Sequence, residues 1–218
     1  MDGAKPERSR ELLADRAYAE LRDRIVTLQI PPGAPIDEDG VGGELGMGRT
    51  PVREAIKRLA HENLVTVFPR RGTFASDINI TDLAAISDVR VQLEGHAAYR
   101  AAQRVTPELA AQARALLDEL RASKESGDPA TLMALDARVH RFVYAAAGNP
   151  YLEQTLSRYF NLSLRIWYLV LERLPHLLAR MREHEEVLEA IIAGDAERAR
   201  TVMAEHVEEF EREIRAVL

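Results

Sequence analysis

Four side chains in the C-terminal part of the sequence offer nitrogen and oxygen donors at spacings that can serve one ion: Asp136, His140, His184 and His206. Asp136 and His140 stand at i and i+4, about 40° apart on one face of a helix. His184 lies ten residues before Gly194, and His206 lies twelve after it. If Gly194-Asp195 closes a helical hairpin, a rise of about 1.5 Å per residue puts both rings at similar heights, roughly 15–18 Å from the turn. Donors from three helices then converge inside a bundle, where such folds build metal sites. One Asp with three His suits Zn, Ni, Mn or Fe and is poor for Cu(I). The chain has no cysteine, so any metal site in it is built from His and carboxylate. Spacing alone also admits a plainer reading, in which each histidine is a surface or core residue with local hydrogen bonds. His184-Glu185 does not begin a zinc-protease motif, because Leu188 stands where the second His is required.

Arg90 lies inside an apolar arc made by Leu83, Ile86, Val89, Leu93 and Ala97. A buried guanidinium needs an anion. Two readings follow: an internal ion pair, or a clamp for a carboxylate ligand. Arg158, Asn161, Arg165 and Tyr168 form a polar stripe on another helix. Asn161, near the height of Asp136, and Arg165 are candidates for the same pocket. The alternative is a solvated helix face. Trp167, Tyr159 and Phe160 are assigned to the core.

A second chemistry belongs to the N-terminal part. The net charge of the 218-residue chain is −6, which argues against a nucleic-acid partner only if charge is evenly spread. It is not. Residues 1–76 hold 12 basic and 12 acidic side chains, and all the excess acidity lies in 77–218. Residues 49–71 carry six basic groups against Glu54 and Glu62. Arg49 and Arg53, one helical turn apart near a helix start, can reach base edges and phosphates together. Arginine's planar fork matches guanine O6 and N7. Thr50 and the helix N-terminus suit phosphate. Arg70-Arg71-Gly72 supplies a basic hairpin tip that can enter a minor groove. From charge and layout alone, a solvated basic face with an ordinary hairpin remains open.

These residues need elements to position them. Leu13, Ala17, Leu21, Ile25 and Leu28 predict one amphipathic helix, stopped by Pro31-Pro32-Gly33. A short helix follows over Asp37–Leu45. Thr50-Pro51 reads as an N-cap with Pro at the first position of a helix from Val52 to about Glu62, and Asn63 as a left-handed cap. Residues 65–68 and 73–75 form a hairpin. The rest predicts helices over 80–104, 106–126, 129–147, 151–171, 176–193 and 196–217, with breaks at Gly127-Asp128-Pro129, Gly148-Asn149-Pro150 and Gly194-Asp195. The fold class is therefore mainly α: a winged helix-turn-helix over 1–76, and an all-helical antiparallel bundle over 77–218. The linker, about 76–81, is short, so the two parts are expected to be coupled. No apolar run approaches the roughly 18 residues of a membrane span, and 1–10 has no apolar signal core. A cytoplasmic protein is expected.

The run Leu45-Gly46-Met47-Gly48-Arg49-Thr50-Pro51-Val52-Arg53-Glu54-Ala55-Ile56-Lys57-Arg58-Leu59 resembles the recognition segment of GntR-family bacterial regulators. Leu64-Val65 and Pro69-Arg70-Arg71-Gly72-Thr73-Phe74 are similar to that family's wing. The resemblance covers roughly residues 12–75. The helical remainder looks like the FCD effector domain of the FadR-like branch. It implies DNA contacts from Arg49, Thr50, Arg53 and Gly72, and a divalent metal (Zn, Ni or Mn) on Asp136, His140, His184 and His206. It also implies a homodimer on a pseudo-palindromic double-stranded operator. Two departures stand out. Gly48 replaces the usual Ser or Thr, and Asp37, Glu38 and Asp39 stand where some members place a DNA-contacting Arg.

The expected function is a transcriptional regulator, not an enzyme, whose operator binding answers to a small carboxylate held by the metal with Arg90, Asn161 and Arg165. Six-coordinate metal would keep two positions open for that ligand, and tetrahedral zinc none. Two rival readings stand beside it: a metal-dependent enzyme with a nucleic-acid domain, for which no general base is evident beside the ligands, and a purely structural metal in a dimerisation module.

Overall fold

The computed structural model describes residues 5–123, 128–173 and 177–218. The predicted last residues of helix 106–126, the break at Gly127 and the predicted start at His176 lie outside them. The chain divides into two compact units, Met1–Asn79 with Leu164–Leu169, and Ile80–Ser163 with Val170–Leu218.

The first unit contains α1 (Lys5–Val26), α2 (Glu38–Leu45), α3 (Arg49–His61) and the strands β1 (Val65–Phe68) and β2 (Gly72–Ala75). Ala17, Leu21 and Ile25 of α1 are fully buried, as are Val52, Ala55 and Leu59 of α3. Their three- and four-residue spacing puts each set on one face, and α1 packs on α3 through these faces. Each buried Leu, Ile or Val contributes about 1.5–3 kcal/mol. α1 ends at Val26, short of the predicted Leu28, which takes φ +60°. Asn63 does adopt the left-handed conformation at φ +63°.

The start of α3 differs from expectation. Gly48 is the N-cap, extended at φ −75° and ψ 174°, and Thr50 and Pro51 lie inside the first turn. Proline is tolerated there because the first N–H groups of a helix have no intrahelical partner in any case. The wing is antiparallel, pairing Val65 with Ala75 and Phe68 with Gly72. Its tip turns through Arg70 at φ +62° and Gly72 at φ +107°, where a side chain would be strained.

The second unit is helical: α4 (Leu83–Gln103), α5 (Pro107–Ser123), α6 (Pro129–Ala146), α7 (Pro150–Val170, except its 164–169 segment), α8 (Leu177–Ala193) and α9 (Ala196–Val217). The breaks carry the caps the sequence implies. Asp128, Asn149 and Asp195 each accept from a backbone N–H in the first turn that follows. Gly194 ends α8 in the left-handed conformation. Its N–H bonds the Ile191 carbonyl and the Asp195 N–H bonds that of Ala190, a Schellman closure of the α8–α9 hairpin. α4 lies along α9, closely enough that a Cβ at Gly95 would meet the Arg200 carbonyl oxygen at 3.2 Å. Val89 stands out of the predicted apolar arc, at 37 % exposure. No described helix is long and apolar enough to cross a membrane.

Candidate metal centre and nucleic-acid interface

Three helices bring the four predicted donors together. α6 supplies Asp136 and His140, α8 supplies His184 and α9 supplies His206, and one ligand atom from each lies within 4.8 Å of all the others. His184 Nε2 is 3.3 Å from His140 Nε2 and 3.3 Å from Asp136 Oδ1, and His140 Nε2 is 3.8 Å from the same oxygen. All four side chains are buried. The hairpin closed at Gly194 thus matches the heights of His184 and His206, as their spacing predicted.

The surroundings fix which nitrogens face inward. His140 Nδ1 lies 2.6 Å from Glu94 Oε2, and Glu94 Oε1 accepts from Arg90 Nε at 2.6 Å. Burial pushes the Glu94 carboxyl up. The Arg90 guanidinium and the His140 ring outweigh that push and bring it down to about 2. Glu94 is therefore an acceptor, so His140 Nδ1 carries the proton and Nε2 turns a lone pair toward the other donors. His206 Nδ1 meets Glu183 Oε2 at 2.7 Å in the same way. Carboxylates that hold the far nitrogen of a ligand histidine are the usual support of a metal site. Asp136 is pushed up to about 6 by burial, against the pull of His140 and Arg90. Its Oδ2 is buried without a hydrogen-bond partner among the described residues.

These observations fit a divalent cation. Ligand bonds of about 2.0–2.2 Å place neighbouring ligand atoms roughly 3–3.5 Å apart, close to the separations found. A bound cation would satisfy the Asp136 carboxylate and the facing imidazole nitrogens together.

The proposed effector residues separate. Arg90 is 2 % exposed, pairs with Glu94 and lies over the Phe160 ring at 5.2 Å, and that ring is 4.6 Å from His140. Arg90 is thus one contact from the candidate metal ligands, and its buried charge is balanced internally. Asn161 is buried next to Phe160 in sequence. Arg165 is engaged elsewhere. Its segment clusters with the first unit, and its Nη2 donates to the Ser76 carbonyl at 2.5 Å. Burial lowers this guanidinium to about 10, with Asp77 pulling the other way. Phe160 and Trp167 are core residues as predicted, and Tyr159 is only half-buried. Glu94, Glu183 and Tyr144, whose hydroxyl is 3.4 Å from His140 Nδ1, were not singled out from the sequence. The i+4 spacing of Glu94 from Arg90 was a usable signal for the first.

In the first unit, Arg49, Thr50 and Arg53 are exposed at the start of α3, and Arg70, Arg71 and Gly72 are exposed at the wing tip. Arg71 lies over the Phe68 ring at 5.6 Å. Gly48 makes no side-chain cap, which leaves the first N–H groups of α3 available to a phosphate. Arg49 and Arg53 each carry an ion pair from α2, to Asp39 and Glu38 respectively.

Comparison with known proteins bears on both units. The family model "Bacterial regulatory proteins, gntR family" matches residues 13–75, and that of the FCD domain matches 85–209. The HTH-type transcriptional repressor RspR of Escherichia coli is 26 % identical over 200 residues, covering 92 % of this chain and 88 % of that protein. The HTH-type transcriptional regulator McbR of the same species is 28 % identical over 191 residues, covering 85 % of each. The solved structure of E. coli McbR/YncC superposes with a TM-score of 0.81 at 23 % identity, over 94 % of this chain and 97 % of that one, a likeness of fold.

Proposed function

The chain belongs to the GntR family of bacterial regulatory proteins and carries an FCD domain, and from that premise we propose a metal-containing, metabolite-responsive regulator of transcription. DNA binding falls to the first unit. Arg49, Thr50 and Arg53 read the major groove from the start of α3, while Arg70, Arg71 and Gly72 follow the backbone or minor groove from the wing. It acts in the cytoplasm as a homodimer on a pseudo-palindromic operator, which multiplies the grip of one small basic patch.

The second unit is the sensor. The observation that carries this reading is the buried convergence of Asp136, His140, His184 and His206, with Arg90 joined to His140 through Glu94. A divalent ion of the Zn, Ni or Mn class, held there, supplies a Lewis-acidic centre for an oxygen ligand. With it, the fully buried charges of Asp136, Glu94 and Arg90 leave one positive charge uncompensated, which a small carboxylate offsets. Arg90 and Asn161 are the residues assigned to that effector. Arg165 is left out of the set because its guanidinium is held by Ser76. Effector binding shifts the bundle helices and changes the operator affinity of the dimer.

The test measures operator affinity by fluorescence anisotropy with metal-loaded protein while a panel of mono- and dicarboxylates is titrated in. At least one acid should shift the affinity of the wild type and leave Arg90→Lys unmoved. If no acid shifts it, the sensor reading is overturned. The Arg90–Glu94 pair favours a second reading, a structural metal in a dimerisation module. In that case chelator lowers the melting temperature and no acid changes it.

A further inference from the structure

The two recognition arginines are held by carboxylates from the first turn of α2, and both are held through Nε. Asp39 takes Arg49 through Nε at 2.5 Å and Nη2 at 2.8 Å. Glu38 Oε2 takes Arg53 through Nε at 2.8 Å. The other oxygen of Glu38 accepts from the Thr73 hydroxyl at 3.1 Å, and Thr73 is buried on β2. Glu38 is therefore a fixed post between α2 and the wing.

A guanidinium has five N–H donors in a planar fork. When the Nε edge is taken by a carboxylate, the terminal Nη groups remain for an end-on approach. End-on, they can meet guanine O6 and N7 together. The same pairing cancels a positive charge that would otherwise attract any phosphate. Acidic residues beside recognition arginines thus weaken sequence-independent attraction while fixing the aim of the fork. In free protein the Asp39–Arg49 pair is exposed on both sides, 59 % and 66 %, so it contributes little to stability. Its effect grows where DNA excludes water from the interface.

We propose that Asp39, together with Glu38, is a specificity-determining positioning residue. Asp39 buttresses Arg49 and Glu38 buttresses Arg53, so that each guanidinium meets a base edge end-on and does not swing to the phosphates. This rests on the reading of α3 as the recognition helix.

The experiment selects bound duplexes from a randomised library with the full-length wild type, Arg49→Ala, Asp39→Asn and Glu38→Gln. Each protein is then titrated against the wild-type-selected duplex and a scrambled one at two salt concentrations, with circular dichroism as a check on folding. Asp39→Asn and Arg49→Ala should lose base preference at the same position of the half-site. Asp39→Asn should lower the selected-to-scrambled affinity ratio about tenfold, hold or raise affinity for the scrambled duplex, and steepen the salt dependence. Glu38→Gln should relax a different position. If the wild type selects a site and Asp39→Asn keeps the same preferences and ratio, the buttress is overturned and the recognition helix stands. If the wild type selects no sequence, both are overturned. A loss of helical signal in Asp39→Asn would assign the residue to folding and overturn the proposal as well.

Discussion

Replacing Glu94 by glutamine probes the link between the buried arginine and the proposed metal ligands. The carboxylate accepts from Arg90 Nε and faces His140 Nδ1, each at 2.6 Å. Glutamine keeps the shape but has one acceptor oxygen, and its NH2 group then confronts the other donor. If Arg90 keeps the oxygen, His140 Nδ1 must accept, its proton moves to Nε2, and the lone pair meant for the metal is lost. Support residues of this kind typically contribute ten- to a hundredfold in metal affinity, or about 1.4–2.8 kcal/mol. If His140 keeps the oxygen, Arg90 is left buried beside an amide, at a cost of up to about 3–5 kcal/mol of folding stability. The assay is competition between metal-stripped protein and a chromophoric chelator for Zn or Ni, with urea unfolding in parallel. Glu186→Gln, on the exposed side of α8, is the control. A folded Glu94→Gln protein that binds metal as tightly as wild type refutes the argument that Glu94 fixes the His140 tautomer.

Other consequences are open to direct measurement. Arg49→Ala and Arg53→Ala should each weaken operator binding by about 1–3 kcal/mol in anisotropy titrations, and full affinity in both would displace α3 from the interface. Gly95→Val brings a Cβ to 3.2 Å from the Arg200 carbonyl oxygen and 3.5 Å from Ala204 Cβ. It should lower stability by about 1–3 kcal/mol, read as an earlier urea midpoint. Tyr18→Phe removes a hydroxyl that meets both Glu62 oxygens at 2.7 and 2.9 Å and should cost about 1 kcal/mol in the same assay. Metal at a hundredfold excess over its dissociation constant should stabilise the stripped protein by about 2.7 kcal/mol, and chelator should reverse the rise in melting temperature.

The parts of the centre that follow a helical period were legible in the sequence. Asp136 and His140 share a face by arithmetic, and His184 and His206 share a height once Gly194 is taken as the hinge of a hairpin. Glu94 was not legible as the partner of His140, because nothing in a separation of 46 residues says that α4 and α6 touch at that level. The contact depends on how α4 packs on α6, which no local pattern encodes. The start of α3 is not where the sequence suggests, because a Thr-Pro pair satisfies the N-cap preference locally, while Gly48 adopts the extended cap conformation two residues earlier. Asp37, Glu38 and Asp39 depart from a basic pattern. Read as isolated charges they oppose DNA binding, and only the geometry shows two of them engaged with Arg49 and Arg53. Arg165 sits on a polar stripe by periodicity, and of that stripe Asn161 and Arg165 are buried while Arg158 and Tyr168 are half-buried.

A divalent metal on Asp136, His140, His184 and His206 within a DNA-binding regulator is open to direct measurement. Elemental analysis of dialysed protein tests it most directly, comparing wild type with a His140→Ala, His206→Ala double variant whose folding is checked by circular dichroism. Close to one metal ion per chain is expected in the wild type, and background levels in the folded variant. Equal metal content in the two, or none in a wild type supplied with Zn, Ni and Mn, would contradict it.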